Sequence, residues 1–204
     1  MKRRELLKGA GVLSIVAVVL ALCGNLGDAA DPTPVTVLIT YHSVSGNTER
    51  MAQGVAEGAK AVSDTSVVLK RVGEVGADDL SSSDAVIVGS PVYFANMSGE
   101  VKTFFDNWSL KFSLFQDRKM RNKVGAAFAT GAAVSAGKEF TILGVLGAML
   151  NNQMIVGSGG GGFGASATTG PDSPGIDEKE LAAARDLGKR VAEVAAVVKR
   201  GSTK

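Results

Sequence analysis

The chain has 204 residues, 45% hydrophobic and 21% charged, with a formal net charge of +2. That length suffices for one domain with a sizeable core, and that composition is ordinary for a globular protein. The single cysteine, Cys23, lies near the start, which excludes an intrachain disulfide, a zinc–thiolate site or a cysteine nucleophile from the rest of the chain.

Residues 1–30 read as an export signal, separate from a domain at 31–204. Lys2, Arg3, Arg4 and Lys8 precede an apolar stretch from Ala10 to Cys23, followed by small residues. That stretch is short for a membrane span, which needs about 20 residues. Arg3-Arg4-Glu5-Leu6-Leu7-Lys8 resembles a twin-arginine signal, which predicts a periplasmic or extracytoplasmic protein exported already folded. Cleavage is expected after Ala29 or Ala30. Leu20-Ala21-Leu22-Cys23 also resembles a lipid-attachment site, with Leu22 where a small residue is expected. Membrane attachment is therefore expected only if the signal is retained or Cys23 is lipidated. Without residues 1–30 the chain carries 18 charges of each sign and is neutral. No basic stripe stands out, so no nucleic-acid partner is expected.

Val35 to Thr40 is a continuous apolar and β-branched run, typical of a strand buried on both faces. Residues 66–70, 84–90, 123–130 and 153–158 read as four more strands. Helical spacing follows the first strand at Met51, Val55, Ala59 and Val62, and recurs over 98–108, 139–152 and 177–200. Alternating strands and helices predict an α/β fold, a doubly wound five-stranded parallel sheet with helices on both faces. Ligands of such sheets bind beyond the carboxyl ends of the strands, so the loops 41–48, 90–99 and 130–138 are the expected site.

The first loop carries Ser43, Ser45 and Thr48 with Gly46 among them, and no Lys or Arg between Tyr41 and Glu49. A helix start offers unpaired N–H groups and the positive end of a dipole. Three hydroxyls and a glycine there suit a phosphate without a cationic side chain. "GSGGGGFG" at 157–164 contains a GxGxxG match, but Pro171 and Pro174 follow where a dinucleotide site needs a helix, so it reads as a loop. "AAVSAGKE" at 132–139 fails as a P-loop, with Ala132 for the first glycine and Glu139 for the magnesium-binding hydroxyl. His42, the only histidine, reads as a surface residue.

Ser43-Val44-Ser45-Gly46-Asn47-Thr48 resembles the FMN phosphate loop of flavodoxin-like proteins. "GSPVYFANMSGEVKTFFD" at 89–106 is similar to the second flavin loop of the WrbA-type NAD(P)H:quinone oxidoreductases. The resemblance covers roughly Val35 to Arg200. It implies FMN held without a covalent link, with Ser43 to Thr48 on the phosphate and Val92, Tyr93 and Phe94 along the ring and ribityl chain. Thr130, Gly131, Ala132 and Ala133 would offer backbone groups to the ring edge. The implied reaction is two-electron reduction of a quinone-like acceptor by NAD(P)H or another small-molecule donor, with no side chain as nucleophile. A one-electron carrier is the rival reading, and a flavin-binding module without turnover is a third. Such carriers are usually strongly acidic for docking, and the neutral domain lacks that charge. Phe112 stands where the family commonly has a tryptophan over the substrate, and Asn152 where it has a histidine. The segment after the fifth strand is shorter than in that family, where it helps to build tetramers, so homo-oligomerisation is left open.

Overall fold

The computed structural model describes residues 34–170 and 175–202. The export and lipid-attachment readings fall outside the described residues.

The sheet forms from β1 (Val35–Tyr41), β2 (Thr65–Arg71), β3 (Ala85–Tyr93) and β5 (Val124–Gly131), with short strands β4 (Asn96–Met97), β6 (Ile155–Val156) and β7 (Ala165–Thr168). Its order is β2-β1-β3-β5-β6, all parallel along that path. The first four expected strands are present, each lying within two or three residues of its predicted ends. The fifth is different. Where one strand was expected over 153–158, β6 pairs with Val124 and Gly125, and β7 pairs with Phe128 to Gly131. The fifth position is thus one interrupted strand, with the glycine-rich loop 157–164 between its two pieces. β4 turns back antiparallel on the end of β3.

Among the described residues, five α-helices cover the sheet: α1 (Asn47–Lys60), α2 (Ala77–Ser82), α3 (Gly99–Leu110), α4 (Lys138–Asn151) and α5 (Glu178–Ser202). Alternate residues of each strand point to opposite faces, and the core divides accordingly. Val37, Ile39, Ile87 and Phe128 pack under α1 and α5. Leu38, Val86, Val88, Ala127 and Ala129 pack under α3 and α4 with Phe104, Phe105, Trp108 and Met149.

On α5 the fully buried residues are Ala184, Leu187, Gly188, Val191, Ala192 and Ala195, a helical stripe three and four apart. Small side chains let α1 and α5 approach backbone to backbone. A Cβ on Gly188 would stand 1.9 Å from the Val55 carbonyl oxygen, and one on Gly58 would stand 1.8 Å from that of Arg185. Leu181, Val194 and Val198 are only partly buried at its margins.

Short α2 is held by Asp79. It accepts from Lys70 Nζ at 2.7 Å and from the Gly76 amide at 2.9 Å. These bonds, the lysine's first, hold its carboxyl below the usual range. At the opposite end of the sheet from the three loops, Lys119, Arg121, Lys123 and Lys199 gather around Asp84. Lys199 comes from α5 and the other three from the turn before β5, which is why no basic stripe shows in the linear sequence.

Candidate functional site

The three loops at the carboxyl ends of β1, β3 and β5 meet. They bound a cleft of about 260 Å³ lined by Val44, Ser45, Thr48, Pro91, Val92, Tyr93, Thr130, Gly131, Ala132 and Thr169. None of these side chains is charged.

The first loop is built for a close-approaching anion. Gly46 is the N-cap of α1 with φ +85°, a left-handed conformation that glycine adopts without strain. It supplies no side-chain cap, so the first-turn amides of α1 keep their donor capacity. A Cβ at Gly46 would meet nothing within 4 Å, which leaves the approach open. Ser43 is buried, and its Oγ accepts from the Gly46 amide at 3.1 Å, shaping the loop from inside. Asn47 does the same from outside, its amide donating to Ser45 Oγ at 3.2 Å. Thr48 Oγ1 lies 2.8 Å from Thr130 Oγ1, both buried. That bond joins the first loop to the third across 82 positions of sequence.

The second loop is a hairpin. β3 runs through Pro91 to Tyr93, past Ser90 where it was expected to end. Val92 pairs with Met97 and Tyr93 with Asn96. The two residues between them, Phe94 and Ala95, have φ values of +51° and +60°, as a tight hairpin turn of the primed type requires. Val92 and Tyr93 therefore line the cleft, whereas Phe94 stands fully exposed at the hairpin tip and lines no described cavity. Ser90, fully buried, accepts from the Ser98 amide at 2.9 Å and ties the hairpin to the start of α3.

In the third loop Thr130, Gly131 and Ala132 form the wall, and Ala133 follows behind with its carbonyl accepting from Lys138 Nζ at 3.1 Å. Phe112 and Asn152 are not brought to this cleft. Phe112 packs partly buried against the α3–α4 core, with Lys111 Nζ 5.5 Å from its ring centre. Asn152 caps α4 by donating to the Ala148 carbonyl at 2.9 Å, and it lines a separate groove with Trp108 and Phe115.

Four contributors were not anticipated. Thr169 enters the cleft because β7 precedes it, and its amide donates to Gly131 O at 2.9 Å. Arg71, from β2, reaches the outside of the first loop. Its Nη1 donates to Ser43 O at 2.8 Å, and its Nη2 pairs with Glu49 at 2.6 Å. A cation thus braces the loop, but a carboxylate pairs with it. Burial, then Glu49, pushes the neighbouring Tyr41 hydroxyl up. His42 is half-buried: its side chain is 17% exposed, with Nε2 at 3.6 Å from Glu100 and without a hydrogen bond. Glu100 is held below the usual carboxylate range, chiefly by its own amide at the start of α3. The fourth is buried Lys138.

The sheet order and the cleft at its carboxyl edge define a flavodoxin-like α/β protein. A solved structure described as a flavodoxin, WrbA-like protein from Agrobacterium tumefaciens matches with a TM-score of 0.68 and 29% identity, covering 79% of this chain and 97% of that one. An archaeal flavodoxin matches at a TM-score of 0.63 and 22% identity, over 78% of this chain and 98% of its own. The family model for NADPH-dependent FMN reductase matches residues 73–160. A protein of Geotalea daltonii called NAD(P)H dehydrogenase (quinone) is 35% identical over 78% of this chain and 96% of its own length. One of the same description from Archaeoglobus fulgidus is 32% identical over 78% and 96%. The chain belongs to the NAD(P)H dehydrogenase (quinone) family.

Proposed function

We propose that this chain is an FMN-dependent oxidoreductase that reduces quinone-like acceptors in two-electron steps with a nicotinamide donor. The observation that carries this is the uncharged cleft in which an open, uncapped helix start, an apolar strand end and a backbone-lined turn converge. The residues present fit FMN. The first-turn amides of α1 with the Ser45 and Thr48 hydroxyls would hold the phosphate, and the open space above Gly46 admits it. Val92 and Tyr93 would offer a wall to the ring, and the backbone of Thr130 to Ala132 would face its edge. When bound, FMN supplies the chemistry, accepting hydride from the nicotinamide and giving two electrons to the quinone. The chain binds, orients and excludes water. No side chain at the cleft is required to form a bond.

The purified protein is expected to be yellow and to release FMN, not FAD, on heating. Colourless protein that takes up no added FMN would overturn this reading. The exposed apolar stripe Phe140, Leu143 and Leu150 on α4 supports self-association. Sedimentation of the same preparation as a monomer at working concentration would count against it.

We also propose export in the folded state by a twin-arginine route. The reading joins Arg3-Arg4 to the cofactor cleft, because FMN is made inside cells and an unfolded chain would leave it behind. Replacing both arginines by lysine should trap FMN-loaded protein in the cytoplasm. Normal export of the double variant with FMN bound would reject the route.

A further inference from the structure

Among the described residues, Lys138 is the one charged side chain fully inside the protein, at 4% exposure. Its Nζ donates to Ala133 O at 3.1 Å, Val134 O at 3.5 Å and Thr168 Oγ1 at 2.7 Å. Three acceptors match the three protons of an ammonium group. None of the three is ionised, and no described carboxylate lies within ion-pair distance of Nζ. The nearest link to one is indirect: the Thr168 amide donates to Glu180 at 2.7 Å. Among the described residues, the hydrogen bonds of this lysine are satisfied and no carboxylate pairs with its charge.

Burying such a charge is costly, and a core needs none there. Its location is informative. A Cβ on Gly131 would stand 3.0 Å from Lys138 Cγ, so the stem of the lysine packs directly beneath a residue that walls the cleft. The carbonyls it holds, of Ala133 and Val134, continue the same loop. The lysine therefore lies behind the wall of the cleft proposed for the flavin, with its stem against Gly131. A charge held in the interior is screened less than one at the surface, so its field reaches that space more strongly than a surface charge would.

We propose that Lys138 is a positioning residue whose fixed positive charge, held behind the third loop, favours the reduced form of bound FMN and raises its midpoint potential. Two-electron reduction adds negative charge to the ring, and a nearby cation stabilises that form more than the oxidised one. Lys138 makes and breaks no bond. The phosphate carries its charge in both redox states, so attraction to it strengthens both and leaves the potential unchanged. This inference rests on the FMN reading above.

The test uses the full chain as wild type, Lys138→Gln and Lys138→Arg. Each is loaded with FMN and titrated potentiometrically, and the affinity for oxidised FMN is measured by fluorescence. In Lys138→Gln the ratio of reduced to oxidised binding constants should fall at least tenfold, a drop of about 30 mV for a two-electron couple. Lys138→Arg keeps the charge and should restore the wild-type potential. A lysine that only staples the loop would weaken FMN binding equally in both redox states and leave the potential where it was, which overturns the proposal. Wild type that binds FMN while Lys138→Gln keeps its potential overturns this inference alone. Wild type that binds no FMN removes the FMN reading and this inference together. Should Lys138→Gln not fold, Lys138→Met is read in the same way. If neither gives soluble protein, the lysine is structural and the proposal falls.

Discussion

Gly188→Ala should lower the free energy of unfolding by about 3 kcal/mol, at the upper end of the cost of overpacking. Two effects of opposite sign compete. Within a helix, alanine is preferred over glycine by about 1 kcal/mol. Against that, the new Cβ would lie 1.9 Å from Val55 O, 2.8 Å from Val55 C and 2.9 Å from Ala59 N. All three are backbone atoms of α1 and cannot rotate away. The helices must separate, which also loosens Ala184, Ala192 and Ala195 from the seam. The clash wins because total stabilities are only about 5–15 kcal/mol and the seam covers one whole side of the sheet. Gly201→Ala, in the same helix with nothing within 4 Å of its Cβ, is the control and should be neutral or slightly stabilising. Urea unfolding measures both. A Gly188→Ala protein as stable as wild type would mean that the helices part without penalty.

The second large effect is on cofactor affinity. Ser45→Ala with Thr48→Ala should weaken FMN binding on the order of 100-fold or more, from the loss of two bonds to a charged acceptor at ~1.5–3 kcal/mol each. Riboflavin, which has no phosphate, should bind the variant nearly as well as wild type. The geometry adds a condition. Thr48 Oγ1 also partners Thr130 Oγ1, so Thr48→Ala leaves a buried hydroxyl alone and some loss of stability is expected. Ser45→Ala lacks that complication, because Ser45 is exposed and bonded only to the Asn47 side chain among the described residues. Equal losses for FMN and riboflavin in the single Ser45 variant would show that the loop does not hold a phosphate.

Much of the architecture was legible because the central strands are buried on both faces. Val35 to Thr40 and Ala85 to Ser90 read as unbroken apolar runs, which few other structures produce. Four of the helices showed as periodic patterns, whereas α2, six residues long, showed none. On α5, Gly188, Ala192 and Ala195 are buried beside Leu187 and Val191, and their small size carries little hydrophobic signal. The strand β7 was missed because Ala165 to Thr168 are small and polar residues whose pairing is set by Phe128 to Gly131, far away in sequence. The hairpin turn at Phe94 and Ala95 lacks the Asn-Gly signature that usually marks such turns. At the site, the loops could be located from topology. The bond from Thr48 to Thr130, the reach of Arg71 and the burial of Lys138 could not, since each depends on contacts between distant segments. "AGKE" in the third loop was weighed only as a failed phosphate motif, although it contained the buried cation.

The seam between α1 and α5 also sets the order in which the protein can be made. Every segment lining the cleft, apart from Thr169, has been synthesised by Ala132. The helix behind the phosphate loop, however, is covered by residues 184–195, and its Glu57 pairs with Arg185 across 128 positions of chain. Until α5 has emerged, the buried face of α1 is exposed to water and to chaperones. Contacts of such long range form slowly, since the loop between them must close first. A nascent chain therefore carries all the groups of its first loop well before it can hold them still. Stable cofactor capture becomes an event that follows translation, and a chain truncated before α5 should be recognised as unfinished by its exposed helix rather than by any defect in the cleft.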